Sequence, residues 1–308
     1  MSRIAETIDL FRNRVVGRTT SLFAHAPNPL ERTLEYRGDV GLMGPGSVSW
    51  QVIGDVASFF GGIRALLIQA AHPEVAASLR DHSRYKDDPL GRLSRTSNYV
   101  TATTFGAMPE VEQAVEMVRR AHRPVRGESH RGRSYSAGAP ELAAWVHNVL
   151  TDSFLKSYMS FGPEQLSVAD QDRFVTEQAQ IGRLLNADPI PETAADLENW
   201  IVKHPDIGGS PGMDDAIDFL RNPPLPLTVL PAYKTMGAAA AATIPKPLRK
   251  MLGVPKLPTA ITAGRRTSDF LRWSLGSSPA WHVALVRSGA EIPEGLFTRT
   301  FDEAGLAG

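Results

Sequence analysis

The chain has 308 residues, of which 42% are hydrophobic and 21% charged, a balance that predicts a globular protein with a sizeable core. Its 33 basic and 33 acidic side chains cancel, so we expect no nucleic-acid partner and no attraction to an anionic membrane. The absence of cysteine excludes disulfides, a cysteine nucleophile, iron–sulfur clusters and a thiolate-ligated haem. A metal or cofactor would have to be held by His, carboxylate, Tyr, Lys or Met side chains.

Residues 1–33 are interpreted as an amphipathic arm, followed by one helical domain over residues 34–308 that includes a proline-rich carboxyl-terminal wrap. The arm lacks the apolar core and cleavage site of a signal peptide. Charged residues and prolines interrupt the longest apolar stretches before they reach the roughly 20 residues of a membrane helix. We therefore expect a soluble, cytoplasmic protein without a transmembrane segment, and the sequence leaves a homo-oligomer open.

Hydrophobic positions at helical spacing run from residue 48 to residue 71. They stop where His72 precedes Pro73, because a residue before proline is disfavoured in the α conformation. The pair Gly61 and Gly62 predicts a close approach by either a crossing helix or a flat ligand. Further helices are predicted over residues 74–81, 91–105, 109–125, 140–160, 168–185, 193–202 and 263–275. No strand-like alternation is evident, so we predict an all-α fold, a single irregular multi-helix bundle.

The predicted helix 91–105 carries a polar stripe. Two guanidiniums and three hydroxyls at positions i, i+3, i+4, i+7 and i+11 share one helical face: Arg92, Arg95, Thr96, Tyr99 and Thr103. This face is either the polar wall of a pocket or a solvent-facing surface, and the spacing alone does not choose between them.

The helix predicted over 109–125 places one histidine on its apolar face. The stripe has spacings of 4, 3, 4 and 3 residues and consists of Val111, Val115, Val118, His122 and Val125. A histidine in that setting is either a hydrogen-bonded core residue or, as a neutral imidazole, a metal ligand. Basic residues surround it in the sequence: Arg119, Arg120, Arg123 and Arg126.

Two further histidines have helical context, His72 before Pro73 and His147 between Trp145 and Asp152. The sequence contains no zincin histidine pair, no serine-hydrolase nucleophile elbow, no phosphate-binding loop and no dinucleotide fingerprint. Excluding these sites favours the hypothesis of a planar cofactor that is bound by a histidine between helices.

An ordered set of short motifs resembles the rubber oxygenase family, which includes latex-clearing protein and MpaB. The similarity runs from about residue 50 to about residue 275, and the order of the motifs makes it specific. The motifs are W-Q-V-I-G-D (50–55), G-G-I-R-A-L-L-I-Q-A-A-H-P (61–73), R-L-S-R-T (92–96), T-F-G (104–106), H-R-P-V-R-G (122–127) and W-V-H-N-V-L-T-D-S (145–153).

The resemblance implies a helical bundle that encloses a haem b pocket and uses dioxygen on a small or lipid-like hydrophobic substrate. It implies His122 as the proximal iron ligand and Arg92 with Thr96 as the distal pair. Glu74 lies near the position of the family's catalytic glutamate. The expected surroundings of the cofactor are completed by Arg95, Arg126, His72 and His147.

Arg95 stands where latex-clearing protein has a lysine that can occupy the sixth iron position. A guanidinium keeps its proton and offers no lone pair, so Arg95 should not ligate iron. We therefore hypothesise a distal position that is open or water-filled in the resting state. At least one arginine between residues 119 and 126 is expected to pair with the haem propionates.

The leading hypothesis is a haem-dependent oxygenase or oxidase acting on an apolar molecule. One rival is a non-catalytic helical protein that binds haem or a lipid on the same scaffold. A third reading is a protein that has lost the iron and retains His122 for structure. Polyisoprene is not the expected substrate, because the chain shows no export signal.

Overall fold

The computed structural model describes residues 3–294, and most of that range is helical. Its helices are α1 (Arg3–Phe23), α2 (Val48–Gly54), α3 (Ala57–Gln69), α4 (Pro73–His82), α5 (Pro89–Phe105), α6 (Met108–His122), α7 (Pro140–Phe161), α8 (Val168–Leu184), α9 (Ala194–Val202), α10 (Pro211–Arg221), α11 (Leu230–Thr243), α12 (Lys246–Met251), α13 (Ala260–Leu275) and α14 (Pro279–Ser288). Two three-residue strands, β1 (Arg126–Glu128) and β2 (Ser134–Ser136), form an antiparallel hairpin. The predicted all-α fold is confirmed.

Polar side chains cap the starts of several helices. Asp88 accepts the backbone N–H of Gly91 at the start of α5. The same arrangement begins α2, α8, α9 and α10, where the caps are Ser47, Ser167, Thr193 and Ser210. Each such cap satisfies a first-turn donor and contributes about 1 kcal/mol.

Helix α7 lies at the centre of the bundle and packs against α3, α8, α9 and α13. It contacts α3 closely at Gly61, where an added Cβ would lie 2.6 Å from Cδ1 of Phe154 and 3.0 Å from its Cα. The same contact buries an ion pair between Arg64 and Asp152, with Nη1 and Oδ2 2.6 Å apart. The crossing-helix interpretation of the glycine pair is therefore confirmed at Gly61, whereas Gly62 has open space around its missing Cβ.

The apolar run over residues 48–71 was predicted as one helical segment, and this is wrong. The chain forms α2 and α3 instead, bent by 87°. Asp55 explains the break: its backbone is extended, and its carboxylate accepts the N–H of Ala57 at 2.8 Å and so caps α3. Arg272 of α13 binds the same carboxylate through two nitrogens, at 2.8 and 3.0 Å.

Helix α6 ends at His122 and not at residue 125 as predicted. Pro124 supplies no backbone donor, and the N–H of Val125 instead reaches the carbonyl of His122 at 3.0 Å in a turn. Val125 therefore leaves the helical stripe to which the spacing assigned it. Its carbonyl accepts the N–H of Ala137, which extends the contact between β1 and β2.

The β1–β2 hairpin lies against α4. Its register pairs Gly127 with Tyr135, whose hydroxyl donates to Asp81 Oδ2 at 2.9 Å. Strands of three residues are too short to show an alternating pattern, so they could not be predicted from the sequence.

Helix α1 packs against α5 and α13, so much of the proposed arm is a helix in contact with the bundle. The division at residues 33 and 34 stays a prediction, and residues 1–2 and 295–308 lie outside the described range. Among the described residues, no single helix has the length and apolar composition to cross a membrane. Within residues 3–294, the bent pair α2 and α3 meets the length and composition criteria when the two helices are taken together.

Candidate functional site

The burial of the polar stripe differs from one end of α5 to the other. Thr103 is buried near the carboxyl-terminal end, Tyr99 and Arg92 are half-buried, and Arg95 and Thr96 are exposed. The Arg95 guanidinium lies 3.2 Å from Asp88, the capping residue of the same helix. The hydroxyl of Thr103 donates to the carbonyl of Tyr99 at 2.8 Å, so its own helix satisfies it.

Arg92 is held without a carboxylate partner in the described residues. Its guanidinium donates to Ser83 Oγ at 3.1 Å and lies 5.8 Å from the centre of the Tyr85 ring. Burial lowers the pKa of Arg92 to about 10, so the side chain remains a cation at neutral pH. A half-buried cation without a neutralising acid can stabilise negative charge on a ligand or a reacting group.

The hydroxyl of Tyr99 is buried and has no hydrogen-bond partner among the described residues. Burial raises its pKa, so the hydroxyl stays protonated and keeps its donor. An unsatisfied buried hydroxyl costs about 1–3 kcal/mol, which a ligand atom within reach would recover. This residue lies one helical turn from Thr96 and two turns from Arg92, on the stripe that the sequence identified.

The apolar stripe of α6 shows the same gradient. Val111 and Val115 are 0% and 4% exposed, whereas Val118 and His122 are only half-buried. The ring of His122 makes no hydrogen bond with any described residue, and burial lowers its pKa. His122 is therefore a neutral imidazole with an available lone pair at neutral pH.

Helices α5 and α6 contact each other and are joined at Gly106 and Ala107. Arg92 and His122 each lie about four helical turns from that joint, on opposite arms of the pair. Both stripes are buried near the joint, and on α5 the exposed Arg95 and Thr96 lie between the half-buried Tyr99 and Arg92. We call Arg92, Thr96, Tyr99 and His122 the α5–α6 site.

The arginines around His122 divide into engaged and available side chains. Arg119 donates to the carbonyl of Leu184 at 2.5 Å, and Arg120 and Arg123 pair with Glu116 at 2.7 and 3.6 Å. The exposed side chain of Arg126 makes no hydrogen bond or ion pair with the described part of the chain, although its carbonyl lies 2.9 Å from Nε2 of His82. Arg126 is thus the arginine best able to pair with an anionic group of a ligand.

Glu74 lies at the start of α4 and is 3% exposed. It accepts hydrogen bonds from Ser129 at 2.7 Å and from Arg131 at 2.5 and 3.2 Å. Burial opposes its ionisation, but these bonds outweigh burial and lower its pKa. Through these bonds Glu74 holds the loop between β1 and β2 against α4.

His72 belongs to a second group, which we call the histidine–aspartate cluster: His72, His204 and Asp206. Each residue offers a metal-ligating atom, and these atoms lie within 4.8 Å of one another. His72 is 3% exposed, and burial lowers its pKa to about 4. His204 and Asp206 were not predicted as site residues. They belong to an H-P-D triplet (204–206), and no local pattern links that triplet to a histidine more than a hundred residues earlier.

His147 lies in the contact between α7 and α8. A Cβ on Gly182 would come within 2.7 Å of its Cδ2, and its Nε2 lies 3.5 Å from the hydroxyl of Thr151. Burial lowers the pKa of His147 to about 4. The structure therefore distributes the predicted site residues over three places: the α5–α6 site, the surroundings of the histidine–aspartate cluster, and the α7–α8 contact.

Comparison with known proteins gives one family. Residues 50–273 match the family model described as "ER-bound oxygenase mpaB/B'/Rubber oxygenase, catalytic domain". No curated protein and no solved structure matches the chain.

Proposed function

The chain belongs to the MpaB and rubber oxygenase catalytic-domain family, which supports an oxygenase, and on that premise we propose that it is a haem b-dependent enzyme. In this proposal His122 holds the iron, and Arg92 and Thr96 lie on the distal side. Dioxygen is the co-substrate, and the organic substrate is a small or lipid-like hydrophobic molecule. In this proposal the haem domain begins at about residue 34.

The observation that carries the proposal is that two side chains of the α5–α6 site lack a hydrogen-bond partner among the described residues, and that one of them, the Tyr99 hydroxyl, is buried. The His122 ring has no hydrogen-bond partner among the described residues, and the Tyr99 hydroxyl is buried without one. A buried hydroxyl without a partner is rare in folded proteins unless a ligand or water satisfies it. The positions of His122 and Tyr99 on two neighbouring helices fit a flat group bound between the far ends of α5 and α6.

The donor set fits a haem. A neutral imidazole is the form that ligates iron, and burial keeps His122 in that form. The exposed guanidinium of Arg126, which has no partner in the described range, fits a carboxylate at the edge of the cofactor. A bound haem would supply the one-electron and dioxygen chemistry that no amino-acid side chain supplies.

The remaining side chains set the polarity of the site. Arg92 carries a charge that no described carboxylate neutralises, and it can therefore donate to negative charge as it develops. Thr96 adds a hydroxyl on the same face. Arg95 pairs with Asp88 and its guanidinium has no lone pair, so it would not supply a second ligand to the iron of a bound haem. The half-buried Val118 and Val100 give an apolar substrate a surface to contact.

Glu74 can serve as the acid or base of the family's reaction only if its bonds to Arg131 and Ser129 open. We propose instead that its main role is to position the hairpin. Glu74→Gln would then change the stability of the protein more than its turnover.

Dioxygen uptake separates a catalyst from a carrier. The haem-loaded protein is mixed with long-chain apolar candidates and a reductant where needed, and uptake is compared with that of two variants. Arg92→Gln should slow uptake by about 10²–10³-fold at unchanged haem content, because one charge-stabilising donor is lost. Arg120→Gln is the matched control, since Arg120 is exposed and pairs with Glu116. Full haem loading with no uptake on any candidate would instead support the haem- or lipid-binding alternative.

A further inference from the structure

The histidine–aspartate cluster lies apart from the α5–α6 site in the chain. His72 is the residue just before α4, and His204 and Asp206 follow α9. From their geometry we propose that His72, His204 and Asp206 form a second site, which binds a divalent transition metal ion such as Zn²⁺. This site is additional to the proposed haem and does not depend on it.

The donor chemistry suits such an ion. Two imidazoles and one carboxylate, with positions left for water, are typical of open zinc sites and of non-haem iron sites. Ligand atoms about 2.0–2.2 Å from a tetrahedral ion lie roughly 3.4 Å apart. The separations here are within 4.8 Å, so side-chain shifts of less than about 1 Å would complete the coordination.

A second observation is independent of the cluster's composition. His72 is 3% exposed, yet neither of its ring nitrogens makes a hydrogen bond within residues 3–294, and its Nδ1 is fully buried. Nδ1 lies 3.4 Å from Oε2 of Glu74 without hydrogen-bond geometry. Glu74 is thus placed to accept Nδ1–H once Nε2 binds an ion, the arrangement in which a carboxylate orients a metal-bound histidine.

His204 and Asp206 are close in the chain and already in contact. The backbone N–H of Asp206 donates to Nδ1 of His204 in a long hydrogen bond of 3.3 Å, so a ring lone pair faces Asp206. An ion at that nitrogen would replace the N–H. The neighbouring rings of Trp145 and Trp200, with centres 4.9 and 4.7 Å from that of His204, restrict how far the imidazole can turn.

Asp206 retains one carboxylate oxygen for an ion. Arg133 binds Oδ1 in an ion pair, and no described residue bonds Oδ2. Arg133 also places a positive charge near the site, which opposes a cation. The positive charge of Arg131 is offset by its pairing with Glu74. The affinity of the site should therefore be limited by Arg133.

The test uses the whole protein, stripped of metal with a chelator and titrated with Zn²⁺ alone by calorimetry, and with Co²⁺ followed by its visible absorption. We expect one ion per chain. His204→Gln and Asp206→Asn should each weaken binding at least tenfold, and Arg133→Gln should strengthen it. His25→Gln is the matched control, because His25 is exposed and distant in sequence from the cluster.

Two further readouts separate this site from the proposed haem site. His122→Ala should keep the Zn²⁺ stoichiometry, and Asp206→Asn should keep the haem spectrum. The proposal is overturned if no stoichiometric ion binds, if binding survives unchanged in His204→Gln and Asp206→Asn as an adventitious ion only, or if His122→Ala abolishes it. Circular dichroism of each variant confirms that it is folded, and Asp206→Asn, which changes a half-exposed side chain, is the least disruptive of them.

Discussion

At the scale of single residues, the α5–α6 site is marked by the Tyr99 hydroxyl, which is buried without a hydrogen-bond partner in the described part of the chain. The sequence could predict that His122 and the hydroxyls of α5 lie on defined helical faces, because helical periodicity fixes direction. It could not predict that the Tyr99 hydroxyl is buried without a partner, since that depends on which side chains of other helices reach it. The structural signal for a ligand therefore lies in unmade hydrogen bonds.

Replacing Tyr99 tests whether its unpaired hydroxyl lowers the stability of the haem-free protein. Tyr99→Phe should leave the free energy of unfolding unchanged or raise it by about 1 kcal/mol, because an unsatisfied donor is removed. Tyr135→Phe is the control: its hydroxyl donates to Asp81, so this change should lower stability by about 1 kcal/mol. Urea unfolding of the haem-free proteins measures both. A loss in Tyr99→Phe equal to that in the control would show that the Tyr99 hydroxyl has a partner.

The buried His147 predicts a pH dependence. Burial lowers its folded pKa from 6.5 to about 4, so between these values the unfolded chain binds a proton that the folded chain excludes. Its contribution to stability is therefore complete above pH 6.5 and is lost as the pH falls toward about 4. One such group changes the free energy of unfolding by at most about 1.4 kcal/mol per pH unit.

His147→Gln should reduce the slope of unfolding free energy against pH in that window, whatever it does to stability at neutral pH. His25→Gln, which changes an exposed histidine, should leave the slope as it is. Urea unfolding of the metal-free and haem-free protein at a series of pH values measures the slope. An unchanged slope in His147→Gln would mean that His147 titrates normally in the folded protein.

At the scale of elements, the sequence predicted the helices that have clear periodicity and polar caps, and it failed where a tertiary contact overrides the pattern. The apolar run over residues 48–71 is broken because Asp55 caps α3 and binds Arg272, a residue of α13 more than two hundred positions later. Local hydrophobic spacing predicts neither the cap nor the ion pair. Helix α6 ends three residues before the valine spacing predicts, because Pro124 supplies no backbone donor to continue it.

The two glycines of α3 give a matched test of the α3–α7 contact. In Gly61→Ala the new Cβ meets Phe154 at 2.6 Å, and the crowding should cost about 1–3 kcal/mol of stability. In Gly62→Ala the Cβ meets nothing within 4 Å, and the better helix propensity of alanine should add about 0.5–1 kcal/mol. Thermal and urea unfolding measure the difference. Equal effects of the two changes would contradict the close crossing at Gly61.

At the scale of the whole molecule, the zero net charge hides a local arrangement of basic side chains. Arginines of α5, of α6 and of the hairpin lie near the two candidate sites, some paired with acids and others available. The fold class and the family could be read from the sequence, because ordered motifs and helical periodicity are local in the chain. The histidine–aspartate cluster could not be predicted from the sequence. His72 precedes α4 and the other two residues follow α9, and only the folded structure brings these two segments together.

The most direct measurement is the absorption spectrum of the purified protein titrated with haem b, for the wild type, His122→Ala and His25→Ala. If His122 is the iron ligand, the wild type and His25→Ala should bind one haem per chain with the same Soret band, and His122→Ala should lose that band or shift it. A wild-type protein that does not bind haem, or a His122→Ala variant with the wild-type spectrum and stoichiometry, would contradict the assignment of iron to His122.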